Sequence, residues 1–196
     1  MKLRRKTLSI IGITIAGLTG ILYVASSSIL LGSLIKAEEQ EATQVVKGVL
    51  SVFGQTADDF NSRFADWSSW DDTYTFMQNG NSKFIASNLI PEGLANVRVN
   101  IAVFVNTSGK IVYGTGFDSQ KLKLTPVPEA LKRRISLNDP LLQHPNPKSS
   151  LAGIMLLPSG PILITSRPIL TTKSTGPIRG TLVFGRNLDA ASIARV

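Results

Sequence analysis

The residues best suited to ligand chemistry lie close together in the segment DWSSWDDTYTFM. Four of them follow one another at steps of one or three: Trp67, Trp70, Asp71 and Tyr74. On a helix, this spacing places them on one face about two turns long. A carboxylate between two indoles and a phenol suits a cationic or hydrogen-bonding small molecule. The pattern predicts a ligand-binding face, although an aromatic stripe at helical spacing is also typical of core packing.

Two arginines in the second half of the chain are further ligand-binding candidates. Arg167 follows one strand-like segment, and Arg186 is the last residue of another. Either guanidinium could contact an acidic ligand, or it could pair with an acid on the long helix described below. The predicted ligand-binding residues are therefore Trp67, Trp70, Asp71, Tyr74, Arg167 and Arg186.

Composition excludes several kinds of catalytic and metal site. The chain of 196 residues has no cysteine and one histidine, so thiolate sites and multi-histidine cages are excluded. The acidic doublets Asp58–Asp59 and Asp71–Asp72 could suggest a glycosidase pair. Adjacent helical residues point about 100° apart, however, so neither doublet forms an acid/base pair by itself. We expect no catalytic residue, no metal and no cofactor.

Five of the eight net positive charges lie at the ends of one apolar segment, and the rest of the chain carries only +3. Lys2, Arg4, Arg5, Lys6 and Lys36 flank that segment, whereas all 13 acidic residues follow it. The rest of the chain is close to neutral for its size, which gives no indication of a nucleic-acid partner.

Residues 7–35 carry no charge and no proline, which predicts a transmembrane helix. At about 1.5 Å per residue, its length of ~43 Å exceeds a hydrocarbon core of roughly 30 Å. Basic residues precede the segment and Glu38, Glu39 and Glu41 follow it, so residues 1–6 are predicted to be cytoplasmic and residues 38–196 to lie outside. The small residues Ala25 to Ser28 leave a cleaved signal peptide as the alternative. The sequence thus predicts a single-pass protein of the cytoplasmic membrane.

Periodicity predicts helices first and strands afterwards. Apolar residues recur every three or four positions from Glu39 to about Asn79, which predicts one amphipathic helix of about ten turns. A second helix is predicted at Ser82 to Leu94. Alternation then predicts strands, two of them joined by the turn Asn106 to Gly109, with a proline-rich crossover from Asp118 to Ser149 that holds a short helix at Glu129 to Ile135. The later strands are predicted at Leu151 to Leu157, Ile162 to Ser166 and Gly180 to Arg186.

This order indicates an α+β fold. The transmembrane helix would continue into the long helix, which packs on a five-stranded antiparallel sheet of PAS-like or Cache-like layout. The helical stripe Val46, Val49, Phe53 and Phe60 has two readings, a homodimer seam or a cover for the domain's own sheet.

The sequence contains two specific motifs, Trp-x-x-Trp-Asp-x-x-Tyr, and Gly-x-Leu-x-x-Gly-Arg-x-Leu at Gly180, Leu182, Gly185, Arg186 and Leu188. Both resemble the CHASE4 domain, an extracytoplasmic sensory module of bacterial and archaeal membrane receptors. The segments KFIASNL, VNIAVFVNTSGKIVY and SRPIL extend the resemblance over roughly residues 38–196. It implies a domain between two membrane spans that regulates a cytoplasmic diguanylate cyclase, phosphodiesterase or histidine kinase.

Two functions follow as expectations. One is the small-molecule sensing input module of a receptor, with its output domain C-terminal to Val196, because this chain shows neither a second span nor an output domain. The other is a stand-alone, membrane-anchored structural or interaction protein without a small-molecule ligand. The sequence does not identify the ligand.

Overall fold

The structure is a computed structural model that describes residues 2–135 and 138–189. The chain divides into two compact units, residues 1–51 and residues 52–196. The predicted extracytoplasmic domain, residues 38–196, includes residues 136–137 and 190–196, which lie outside the described residues.

The described residues of the first unit belong to helix α1, Lys2–Arg63. Within α1, the stretch Ile11–Ser28 is long and apolar enough to cross a membrane. Its apolar side chains are exposed, as expected for a surface that meets lipid. The hydroxyls of Thr19 and Ser27 donate to the carbonyls of Ile15 and Val24, at 2.8 and 3.0 Å. These polar groups are therefore satisfied within the helix itself.

The long amphipathic helix ends earlier than predicted. Helix α1 ends at Arg63, and two short helices follow, α2 at Ala65–Ser68 and α3 at Asp71–Asn79. The interruption has a tertiary cause: the N–H of Leu170 donates to the carbonyl of Ser68 at 2.8 Å, and Ser69 forms a parallel bridge with Leu170. Trp70 is accordingly extended, with φ −131° and ψ 130°. The prediction of one helix from Glu39 to Asn79 is therefore wrong beyond Arg63.

The predicted second helix is also divided. Gly80 ends α3 in a left-handed conformation with φ 61°, and the Asn81 side chain accepts from the N–H of Lys83 at the start of α4, Ser82–Asn88. Helix α5, Pro91–Asn96, begins with its proline at the first position, where the missing N–H costs nothing. The predicted crossover helix is confirmed as α6, Glu129–Arg134, and a turn of 3₁₀ helix follows at Pro140–Leu142.

Among the described residues, six strands form one antiparallel sheet in the order β3-β2-β1-β6-β5-β4. The strands are β1 Ile101–Asn106, β2 Ile111–Asp118, β3 Lys123–Thr125, β4 Leu151–Leu157, β5 Gly160–Pro168 and β6 Gly180–Asn187. The α+β prediction is confirmed, with six strands in place of five. The additional strand β3 has three residues and extends the edge at Gly116 to Asp118, too short to leave an alternation in the sequence.

Both faces of the sheet are covered. On one face, Phe104, Leu182 and Phe184 pack against apolar residues of the C-terminal turns of α1 and of α3 and α4. On the other face, Val103, Ile164 and Val183 pack against the crossover through residues that include Leu131 and Leu141. Adjacent strand residues therefore point into different cores, as the two-residue period requires. The candidate ligand residues that follow belong to the helical face.

Candidate functional site

The two tryptophans lie at the interruption between α1 and α3. Trp67 belongs to α2, and its ring meets that of Phe184 edge to face at 5.7 Å. Trp70 lies in the extended segment, with its ring 5.9 Å from that of Phe84. The two indoles contact each other edge to face at 6.1 Å. Trp67, Trp70, Asp71 and Tyr74 therefore do not share one face of a continuous helix, but the fold still brings the two indoles together.

Asp71 connects the start of α3 to the loop between β5 and β6. Its carboxylate accepts from the N–H of Thr172 at 2.9 Å, and its own N–H donates to the Thr172 hydroxyl at 3.1 Å. The carboxylate also lies in the first turn of α3, where a negative charge is favourable against the helix dipole.

Tyr74 contacts the same loop one turn further along α3. Its hydroxyl accepts from the Arg179 Nε at 2.9 Å and donates to the carbonyl of Pro177 at 3.4 Å. The Arg179 guanidinium also lies 5.4 Å from the centre of the tyrosine ring. Asp71 and Tyr74 therefore hold both ends of the segment 172–177.

Arg167 on β5 reaches across to the end of α1 and to α2. Its guanidinium donates to the Asn61 side chain at 3.0 Å and to the Ser68 hydroxyl at 3.2 Å. Partial burial lowers the pKa of Arg167, and the nearby negative charge of Asp66 opposes that shift. Arg167 was expected to pair with an acid on the long helix, but its partner there is the amide of Asn61. The acid Asp66 of α2 acts on it only through its charge.

These elements surround a cavity of about 580 Å³, which we call the indole pocket. Its lining combines two half-buried indoles with charges of both signs and several uncharged polar groups. The residues are Ala65, Asp66, Trp67, Ser69, Trp70, Asn88, Arg167, Thr172 and Ser174. Three predicted ligand residues line this pocket, while Asp71 and Tyr74 fix a loop that contributes Thr172 and Ser174 to its wall.

Arg186 lies in a different place. It lines a second cavity, of about 600 Å³, that shares no lining residue with the indole pocket. The six predicted residues thus divide among the indole pocket, its supporting loop and this second cavity.

Sequence reasoning missed several polar residues at these cavities. Asp66 immediately precedes Trp67 in the aromatic segment, so its proximity was a usable signal. Asn61 and Ser68 bind Arg167 across more than ninety residues of sequence, and no local pattern indicates such a pairing. Within residues 2–135 and 138–189, no three His, Cys, Asp or Glu residues are placed to hold a metal ion.

The second motif is explained by the geometry of β6. A Cβ on Gly180 would lie 2.2 Å from the carbonyl oxygen of Val105, and one on Gly185 would lie 3.3 Å from the Cβ of Ile101. Leu182 is buried in the helical-face core, and Leu188 packs at its margin. The glycines therefore allow the close approach of β1 and β6, and the leucines pack in the core, which leaves Arg186 as the polar member of the motif.

Comparison with known proteins finds the family that the two sequence motifs resemble. The family model of the CHASE4 domain matches residues 52–196. The methanogenesis regulatory histidine kinase FilI of Methanothrix harundinacea (strain 6Ac) is 31% identical over 191 residues. The match covers 97% of this chain and 21% of the kinase, so the chain spans about a fifth of that relative's length.

Two solved structures have a similar fold. A domain of a putative sensory box/GGDEF family protein from Vibrio parahaemolyticus aligns with a TM-score of 0.51 at 16% identity, over 79% of this chain and 62% of that one. The extracellular domain of the putative histidine kinase vpHK1S-Z8 aligns with a TM-score of 0.50 at 16% identity, over 79% and 59% of the two chains. The family match covers well over half of the sequence, and the chain belongs to the CHASE4 domain family.

Proposed function

We propose that this chain is the small-molecule sensing input module of a membrane receptor, with its CHASE4 domain outside the cytoplasm. The observation that carries the proposal is the indole pocket, in which Trp67, Trp70 and Arg167 converge where α1 ends. A concave site with aromatic walls and a few polar groups is the usual form of a small-molecule site.

The proposed ligand is a small polar molecule that carries a positive charge or several hydrogen-bonding groups. The two indoles offer ring faces for a cation, and the exposed Asp66 offers the opposite charge. The guanidinium of Arg167 could receive an acidic group of the same molecule. In this proposal Asp71 and Tyr74 act as positioning residues, because they hold the loop that forms one wall.

The proposed topology rests on the charges that flank the apolar part of α1. Lys2, Arg4, Arg5 and Lys6 precede it, and Glu38, Glu39 and Glu41 follow it. Basic residues are retained on the cytoplasmic side, so residues 38–196 would be exported. The relative FilI is a histidine kinase, and we infer that a cytoplasmic output domain, of the kinase type or of another type, follows this module in the intact receptor.

Signalling would proceed through α1. A ligand that prefers one arrangement of α1, α2 and the sheet would change the population of that arrangement. A homodimer seam on α1 is a further part of the proposal, because Val46 and Val49 are 57% and 49% exposed. Phe60 does not belong to this seam, since it is buried in the domain's own core, and Phe53 is half-buried.

Tryptophan fluorescence tests the proposal directly, because Trp67 and Trp70 are the two tryptophans of the chain. The full chain in detergent micelles would be titrated with choline, glycine betaine and the common amino acids. We expect at least one probe to change the emission saturably and to raise the unfolding temperature. Trp70→Phe should weaken that binding, whereas Arg133→Gln on α6, which packs on the opposite sheet face, should not. Saturable stabilisation that Trp70→Phe leaves unchanged would place the ligand elsewhere.

The rival function is a membrane-anchored structural or interaction protein. It is favoured by the exposed apolar side chains of Val45, Val46, Val49 and Leu50 on α1. That function predicts association that rises with protein concentration, no fluorescence change and no ligand-dependent shift of the unfolding temperature. Analytical ultracentrifugation measures the association, but the sensor proposal also includes a homodimer seam, so the ligand titration is the measurement that separates the two functions.

A further inference from the structure

The second cavity is lined by three arginines from three separate parts of the chain. Arg63 ends α1, Arg98 follows α5 and Arg186 lies near the end of β6. Phe60, Asn100 and Asn187 contribute to the same walls. We call this site the arginine cavity.

Arg186 makes two contacts at the wall of the arginine cavity. Its Nε donates to the carbonyl of Arg98 at 2.9 Å, and its guanidinium lies 4.8 Å from the centre of the Phe60 ring. One hydrogen bond and one ring face therefore fix the plane of the group. Its Nη2 is buried and has no hydrogen-bond partner among the residues that the structure describes. A buried charged donor without an acceptor is unusual, because it loses its hydration without compensation.

The neighbouring charges further disfavour the positive charge on the Arg186 guanidinium. Burial lowers the pKa of Arg186, and the positive charges of Arg63 and Arg98 lower it further. Asp59 and Asp189 also line the cavity. The strongest charge effects on the pKa of Arg186 come from those two guanidinium groups. Clustered guanidinium groups in a partly enclosed site attract an anion.

Arg98 provides an independent indication. It follows the end of α5 with φ 55°, a left-handed conformation in which its N–H donates to the carbonyl of Ala95 at 3.0 Å. Glycine is the usual residue at this position because it avoids the steric cost of a Cβ. The backbone carbonyl that receives Arg186 does not need an arginine side chain. The Arg98 side chain is exposed and forms no hydrogen bond or ion pair within the described part of the chain, so its guanidinium is available to an anion in the cavity.

We propose that the arginine cavity binds a small anion through a carboxylate or phosphate group, with the free edge of Arg186 as the central donor and Arg63 and Arg98 as supporting charges. The fork of N–H groups on a guanidinium matches the paired oxygens of both anions. This proposal is independent of the indole pocket, because the two sites have no lining residue in common.

The test is isothermal titration of the full chain in detergent micelles with inorganic phosphate and with succinate, at constant ionic strength set by sodium chloride. We expect saturable binding of at least one of the two, and the probe that binds distinguishes a phosphate site from a carboxylate site. Arg186→Lys keeps the charge but loses the fork, so it should weaken binding about 10-fold or more, and Arg186→Gln about 10- to 100-fold.

Two further variants separate binding from folding. Arg98→Gly should weaken binding several-fold while the unfolding temperature stays equal or rises, because glycine relieves the left-handed strain. Arg133→Gln removes the same charge from α6 and should change affinity less than about twofold. The proposal is overturned if neither probe binds saturably. It is also overturned if Arg186→Lys and Arg98→Gly bind as the unaltered chain does, or if Arg133→Gln weakens binding as much as they do.

Discussion

Removing the carboxylate of Asp71 should release the loop between β5 and β6 while leaving the sheet intact. In Asp71→Ala, the N–H of Thr172 loses its acceptor at 2.9 Å, and the first turn of α3 loses a favourable negative charge. The N–H of residue 71 still reaches the Thr172 hydroxyl, so the second hydrogen bond of the pair can persist. The expected effect is therefore partial and local.

The magnitude follows from these two losses. A hydrogen bond to a charged acceptor contributes about 1 kcal/mol when it is exposed, below the value of a buried one. The interaction of a carboxylate with a helix N-terminus adds about 0.5 kcal/mol. Their sum of about 1.5 kcal/mol corresponds to a roughly tenfold increase in the open population of the loop. It also corresponds to a fall of about 3–6 °C in unfolding temperature if the opening couples to global unfolding.

Limited trypsin digestion can measure this opening, because the exposed Lys173 lies within the loop. Cleavage between Lys173 and Ser174, identified by mass, should accelerate about tenfold in Asp71→Ala when opening is fast relative to cleavage. Asp72→Ala is the matched control, since Asp72 is in the same turn of α3 but has no hydrogen bond to the loop among the described residues. Equal cleavage rates in the two variants would refute the assignment of Asp71 as the residue that holds this wall.

Two other predictions concern His144, whose Nε2 lies 3.1 Å from the Ser166 hydroxyl of β5, and the pairing of β1 with β6. Burial and the charge of Arg167 lower the pKa of His144 from 6.5 to about 4, so the unfolded chain binds the proton first. Stability should therefore fall as the pH drops from about 6.5 to 4, by about 1–2 kcal/mol after allowance for solvent screening. Urea unfolding at several pH values should show this slope, and His144→Gln should lose it; an unchanged slope would contradict the assignment. Gly180→Ala should destabilise the domain by about 1–3 kcal/mol, because its Cβ would meet the Val105 carbonyl oxygen at 2.2 Å. Gly153→Ala, with open space around it, is the control in thermal unfolding, and equal losses in the two would show that the close approach is not decisive.

The strands were predictable because their signal is local. The segment Leu151–Leu157 is a short run without polar side chains that is bounded by turn residues, and the structure places β4 at those residues. The end of α1 was not predictable in the same way. Residues after Arg63 keep a helical rhythm of apolar side chains, but the carbonyl of Ser68 is captured by Leu170, which lies a hundred residues later. Tertiary pairing here overrides the local preference.

The candidate site shows the same division between local and distant information. The spacing of Trp67, Trp70, Asp71 and Tyr74 predicted a ligand-binding segment. It could not indicate that the two tryptophans line the indole pocket while Asp71 and Tyr74 do not. The loop that receives Asp71 and Tyr74 contains small polar residues and a proline, with no periodicity to reveal its partner. The position of Arg98 at the arginine cavity could not be predicted for another reason. Its left-handed backbone is rare for an arginine, and no sequence rule anticipates it.

The positions of the two cavities bear on how binding could be coupled to α1. The arginine cavity is lined by α1 residues from Val52 to Arg63, and the indole pocket begins at Ala65, just after α1 ends. Phe64, which is buried in the core, lies between these two sets of lining residues in sequence. Its ring packs on that of Phe60, a lining residue of the arginine cavity, at 4.9 Å and on that of Phe184 at 4.5 Å. A ligand in either cavity would therefore change the surroundings of the same two turns of one helix. If both proposed sites bind, occupation of one should alter the affinity of the other by an equal factor in both directions, as linkage requires.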